Sequence, residues 1–230
     1  MKHATRLHGF AIRCIGTQGF ALPTLMVILS LASIATLLAM RNLWVNDQLL
    51  NAEADQLRTQ HKAEALLPVA LADILGATTN KDGTLNLRHA AGNATQTHAF
   101  FPASMGEYEL LRQRLTTEKS QCSAGICAPN ILDAKLVKAS YWKTHTASAM
   151  PVTAADTPYG ENTAWYWVEV FAHGSTSTAN SPSTPPFVYR ITTLANGVIP
   201  GSTTFLQAIW VRDTPTSNTG QWRSWQVLHD

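Results

Sequence analysis

Charge is scarce in this chain. Of 230 residues only 14% are Asp, Glu, Lys or Arg, and 17 basic residues against 15 acidic ones leave a formal charge of +2. There is thus no basic face of the kind that binds nucleic acid, and no acidic tail. Three cysteines are too few for a disulfide-dense miniprotein, and 13 glycines rule out a collagen-like repeat. No phosphate loop, dinucleotide fingerprint, HExxH, GxSxG or calcium loop occurs in the sequence. The eight histidines are scattered, so nothing nominates a catalytic residue, a metal site or a cofactor, and no enzymatic activity is expected. There is only one long apolar run, which excludes a multi-span membrane protein.

That run decides the organisation. Residues 1–19 carry Lys2, Arg6 and Arg13 and no acid, and residues 20–40 carry no charge before Arg41. At 1.5 Å per residue, 21 residues give about 31 Å of helix, enough to cross a ~30 Å hydrocarbon core. The basic side comes first, so the amino end is expected in the cytoplasm and everything after Arg41 outside it. A cleaved secretory signal ending near Ser33-Ile34-Ala35 would need an unusually long basic region and would discard a helix that continues past Met40. A lipoprotein signal at Cys14 is opposed by Arg13 and by the lack of an apolar run upstream.

A short basic leader, Gly19, Phe20 opening an apolar helix, then Leu22, Leu25, Met26, Val27 and the run to Met40 resemble the class III signal of type IV pilins and pseudopilins. The resemblance implies a leader of 1–19, cut after Gly19 by a prepilin peptidase, and Phe20 as the N-methylated first residue. The mature chain then has 230 − 19 = 211 residues. It further implies a membrane or filament-core helix segment over 20–41, an amphipathic half over 42–75 packed on the head, and a periplasmic head over 76–230. The fold class expected is α+β, the pilin fold.

Fibre-body pilins usually have glutamate at the fifth mature position; here it is Thr24. The family's carboxylate pairs with a neighbour's terminal ammonium, and a charge left unpaired inside an apolar bundle costs several kcal/mol. Non-glutamate residues at this position are familiar in tip-located minor subunits, so Thr24 points to a tip or initiating role. The bland reading of Thr24 is a hydroxyl bonded back to its own helix.

The stretch from Arg41 to Leu75 has no glycine and one proline, Pro68, and its apolar residues fall at helical spacing. One helix is expected from Phe20 to about Leu75, about 84 Å long, kinked at Pro68 and capped by Gly76. Asp82-Gly83 reads as a turn. Ser104 and Glu107 read as a capping box opening a helix through Leu115. Four strands are expected at 165–171, 187–193, 203–211 and 222–228, forming an antiparallel sheet. Between the first two, 172–186 is a Ser/Thr/Pro loop. Six of the seven tryptophans lie between Trp142 and Trp225; packing against the helix is the expectation, an aromatic ligand platform the alternative.

With Cys14 lost in the leader, Cys122 and Cys127 remain. A close pair in an exported chain is expected to form a disulfide. Metal binding would need further ligands nearby, and redox chemistry prefers CxxC. The run Cys122 to Pro129, then Tyr189-Arg190-Ile191-Thr192 and Thr204-Phe205-Leu206-Gln207-Ala208, is similar to the carboxyl half of PilX-type minor pilins. That implies initiation, priming or capping of pilus assembly at the fibre tip, with a role in adhesion compatible. Partners implied are the prepilin peptidase, the inner membrane, other minor pilins and the major pilin, and no nucleic acid. A GspK-type pseudopilin and a membrane-anchored exported binding protein are the competing readings.

Overall fold

A computed structural model describes residues 21–76, 99–102, 104–118, 120–129, 138–152, 164–172, 187–213 and 218–229. The chain divides into two units at Leu50/Asn51. Helix α1 (Ala21–Ile74) contributes to both and passes Pro68 without interruption. Gly76, at φ 74°, donates its N–H to the Asp73 carbonyl and closes the helix where the sequence placed its cap.

In the first unit, residues 22–50 are exposed along the whole helix. The apolar run makes it long and apolar enough to cross a membrane. Its hydroxyls stay inside the helix: Ser30 donates to the Met26 carbonyl at 2.6 Å, Ser33 to Leu29 at 2.8 Å and Thr36 to Ala32 at 2.8 Å. Such back-bonding leaves no hydroxyl proton needing a partner in lipid.

The second unit is α+β. Helix α2 (Met105–Thr117) opens on Ser104, whose Oγ accepts the Glu107 N–H at 3.3 Å, and it buries Tyr108, Leu111 and Leu115 on one face. The strands are β1 (Cys122–Ser123), β2 (Ile126–Cys127), β3 (Met150–Val152), β4 (Ala164–Ala172), β5 (Phe187–Asn196), β6 (Thr203–Arg212) and β7 (Gly220–Leu228). A short helix, α3 (Ala139–Thr144), precedes β3.

The four long strands follow the sequence pattern and pair antiparallel, β4-β5-β6-β7. The sheet is nevertheless mixed and seven-stranded, which corrects the four-stranded expectation. β2 joins β4 in parallel and β3 joins it antiparallel, along adjacent stretches of β4. Strands of two or three residues are too short to show an alternating pattern, so only pairing defines them: β2 and β3 to β4, and β1 to β2. The Asp82-Gly83 turn and most of the 172–186 loop lie outside the described residues.

Both faces of the sheet are covered over β4, β5 and β6, while most of β7 is exposed. On one, Ala63, Leu66, Ala70 and Ile74 of α1, all fully buried, form a stripe at helical spacing. They meet Val168, Val170, Ile191, Ala195 and Leu206. On the other, Trp142 of α3 and Trp167 of β4 pack with ring centres 5.0 Å apart, among Leu194, Phe205, Leu228 and the two cysteines. The sequence reading foresaw only the helical cover.

Polar ties fix the helix on its seat. Asp55 accepts the N–H groups of Val198 at 3.0 Å and Ile199 at 3.1 Å, in the turn joining β5 to β6. The Tyr166 hydroxyl donates to Asp73 at 2.7 Å, and the Thr193 hydroxyl donates to the Ala63 carbonyl at 3.0 Å. Burial pushes the Asp55 carboxyl up, but the Val198 and Ile199 amides, the Ser202 hydroxyl and Arg58 together hold it below its ordinary value of 3.8. A lowered carboxyl stabilises the fold above the unfolded-state value, and that contribution is lost as pH falls through the folded one. Asp55→Asn should therefore lower stability by about 1–2 kcal/mol at neutral pH. Denaturant titrations of both proteins should show the gap closing as pH drops below about 4.

Candidate functional site

Of the residues singled out in the sequence, Gly19 and Phe20 lie outside the described residues. Thr24 sits near the start of α1 and is exposed. Glutamate there would place a charge on the same exposed, apolar helix surface, among Leu22, Leu25 and Met26.

Cys122 and Cys127 form a disulfide and stand opposite each other in the β1–β2 hairpin. The two turn residues, Ala124 and Gly125, both have positive φ, 47° and 80°, as a tight two-residue hairpin requires. Gly125 has a second constraint: a side chain there would collide with Met150 and with the Tyr166 carbonyl. Its N–H donates to the Ser148 carbonyl at 2.7 Å and its carbonyl accepts the Val168 N–H at 2.6 Å. The hairpin is thus bonded into the sheet at its tip and locked at its base by the disulfide.

The same face of the sheet carries a buried ion pair. Glu169 of β4 and Arg190 of β5 are direct cross-strand partners. The guanidinium meets the carboxylate through two bonds of 2.6 Å, with Glu169 1% exposed. Arg190 also lies 5.1 Å from the Phe171 ring centre. Arg190, read in the sequence as part of a family motif, is here the positional partner of a buried acid. Removing either alone would strand a charge.

One surface feature escaped the sequence. Trp222 and Trp225 of β7 are 43% and 57% exposed, whereas Trp142, Trp167 and Trp210 are buried. Three residues apart on a strand, they should face opposite ways. A register shift intervenes, so that Trp222 stands opposite Trp210 and Trp225 opposite Ala208, two residues apart on β6. Both indoles therefore share the α1 side of the sheet. With Glu64, Leu67, Pro68 and Leu71 of α1, and with Leu206 and Ala208 as floor, they enclose an open groove of about 490 Å³. Glu64 also lies 3.4 Å from His61 and accepts from Gln60 at 3.1 Å. The expected packing against the helix is thus met by Trp210, which lies in the cluster with Leu66, Ala70 and Ile74; Trp142 and Trp167 are core residues of the opposite face, and Trp222 and Trp225 form an aromatic surface.

Among the described residues no group of three or more His, Cys, Asp or Glu could hold a metal ion. No protein-family model, curated protein or solved structure matches the chain. The head thus presents a disulfide-locked hairpin and an open aromatic groove. Cys122→Ser should destabilise the head by about 2 kcal/mol, the low end for a disulfide because the closed loop is short. Thermal unfolding with and without reductant checks this, and reductant should shift wild type towards the variant.

Proposed function

We propose that the chain is a minor subunit of a type IV pilus, of the PilX type, that primes or caps the fibre at its tip. The observation that carries this reading is the junction of Gly19 and Phe20 with a charge-free run to Met40. A long helix and an α+β head with a disulfide-locked hairpin are compatible with it. The leader is removed at Gly19, Phe20 becomes the methylated amino terminus, and the helix holds the head outside the inner membrane until assembly. Thr24 then explains the tip position. A subunit without the fifth-position carboxylate offers no charge partner to a neighbour's ammonium, so it is a poor repeating unit but a competent end. Its partners are other minor pilins, the major pilin and the prepilin peptidase.

Intact-mass analysis of the protein from its own cells should find a methylated Phe20 terminus. A retained Met1 would instead favour an anchored exported binding protein, and a start near Thr36 a cleaved signal. Deleting the gene should lower the number of surface fibres; unchanged fibres with lost attachment would make the chain an adhesin only. Thr24→Glu should raise incorporation along fibre bodies, counted by immunogold labelling, and an unchanged distribution would remove Thr24 from the explanation.

A further inference from the structure

We propose that Arg41 and Trp44 of α1 grip the headgroup layer of a phospholipid bilayer. The guanidinium takes a lipid phosphate and the indole lies at the boundary with the hydrocarbon, so that the pair sets how deep the helix sits. The inference rests on the reading of the chain as membrane-anchored before assembly.

The two residues coincide with the end of the apolar run. Arg41 is the first charge after residue 20, and Trp44 is the only tryptophan of α1. Three positions apart on a helix, they share one side. Trp44 is 62% exposed, and Arg41 is exposed as well. Among the described residues Arg41 has no ion pair and Trp44 has no hydrogen bond or ring contact. Trp142, Trp167 and Trp210, by contrast, all pack against other rings.

The depth agrees. A hydrocarbon core of ~30 Å in a bilayer of about 40–45 Å leaves about 5–7 Å of headgroup on each side. With Met40 at the core boundary, Arg41 stands about 1.5 Å and Trp44 about 6 Å into that layer. Asp47, the first acid after the run, stands about 10 Å out, clear of the lipid. Helix side chains lean toward the amino end, which brings the indole back to the edge of the hydrocarbon. The longer arginine chain bends the other way, up to the phosphates. Leu37 and Met40, seven and four residues before Trp44, continue its side of the helix as exposed apolar surface. Such an order, apolar chains, then an amphipathic ring beside a cation, matches a membrane boundary.

A second helix is a poorer occupant of this side. Helices pack in membranes through small residues that let their backbones approach. An arginine beside a tryptophan holds them apart and brings a charge that needs a partner.

The test uses the full-length protein in vesicles of phosphatidylcholine and phosphatidylglycerol whose chains carry bromine either near the glycerol or near the chain ends. Bromine quenches tryptophan on contact, and the emission that disappears in Trp44→Phe isolates Trp44 from the other tryptophans. Shallow bromine should quench this component strongly and deep bromine weakly. Arg41→Leu should lower the ratio of shallow to deep quenching by about fivefold, the equivalent of about 1 kcal/mol for one basic side chain at an anionic surface. Arg41→Lys should keep most of the ratio, and inorganic phosphate at constant ionic strength should leave it unchanged. A Trp44 component insensitive to both lipids, or quenched more by deep bromine, overturns the proposal. So does a ratio indifferent to Arg41→Leu, or one that inorganic phosphate abolishes. Alkaline washing of membranes from the chain's own cells separates the two readings. If the chain stays with the membrane while Trp44 is unquenched, only the headgroup contact fails. If the chain is released into the wash, the anchored reading itself fails.

Discussion

Two aspartates on α1 set the position of its second half on the sheet. Asp55 holds the turn between β5 and β6 through two backbone amides, and Asp73, five turns further on, receives the Tyr166 hydroxyl of β4. Between them run Ala63, Leu66, Ala70 and Ile74, all fully buried. Apolar burial supplies most of the attraction, but it is non-directional and would tolerate sliding or rotation. The aspartates remove that freedom, since a slip of one residue would leave buried polar groups unpaired. The other features of the head are placed relative to this seat.

The small and large residues are distributed accordingly. Ala63 and Ala70, both fully buried, let α1 approach the sheet closely, while on the opposite face Trp142 packs on Trp167. That second layer makes β4 a central strand buried on both sides, and it explains why Glu169 needs Arg190. It also gives the β1–β2 hairpin its role. Pinned by Gly125 and closed by the disulfide, the hairpin covers the outer edge of β4, which would otherwise expose a row of unpaired backbone groups. Among the described residues the opposite edge, β7, has no strand beside it and carries the extra residue Arg223.

Surface chemistry is divided between the two units of the chain. Residues 22–40 expose only apolar and small hydroxyl side chains, and the hydroxyls of Ser30, Ser33 and Thr36 are turned back on the helix. Such a surface suits lipid or other helices. In the head, Trp222 and Trp225 make an exposed aromatic pair beside the Glu64 carboxylate.

Local sequence alone determined α1, its cap at Gly76, the Ser104 cap of α2 and the four long strands. Each is governed by periodicity or by a residue acting on its immediate neighbours, and such signals need no distant partner. The proximity of Cys122 and Cys127 in the chain likewise foretold their bond. Tertiary structure alone decided the parallel addition of β2, the pairing of β3, the second layer under Trp142 and the pairing of Glu169 with Arg190. These join residues tens of positions apart, with no local pattern to mark them. The groove shows the reason most plainly. Trp222 and Trp225 point the same way only because pairing with β6 forces an extra residue between them, and strand alternation read from sequence assigns them to opposite faces.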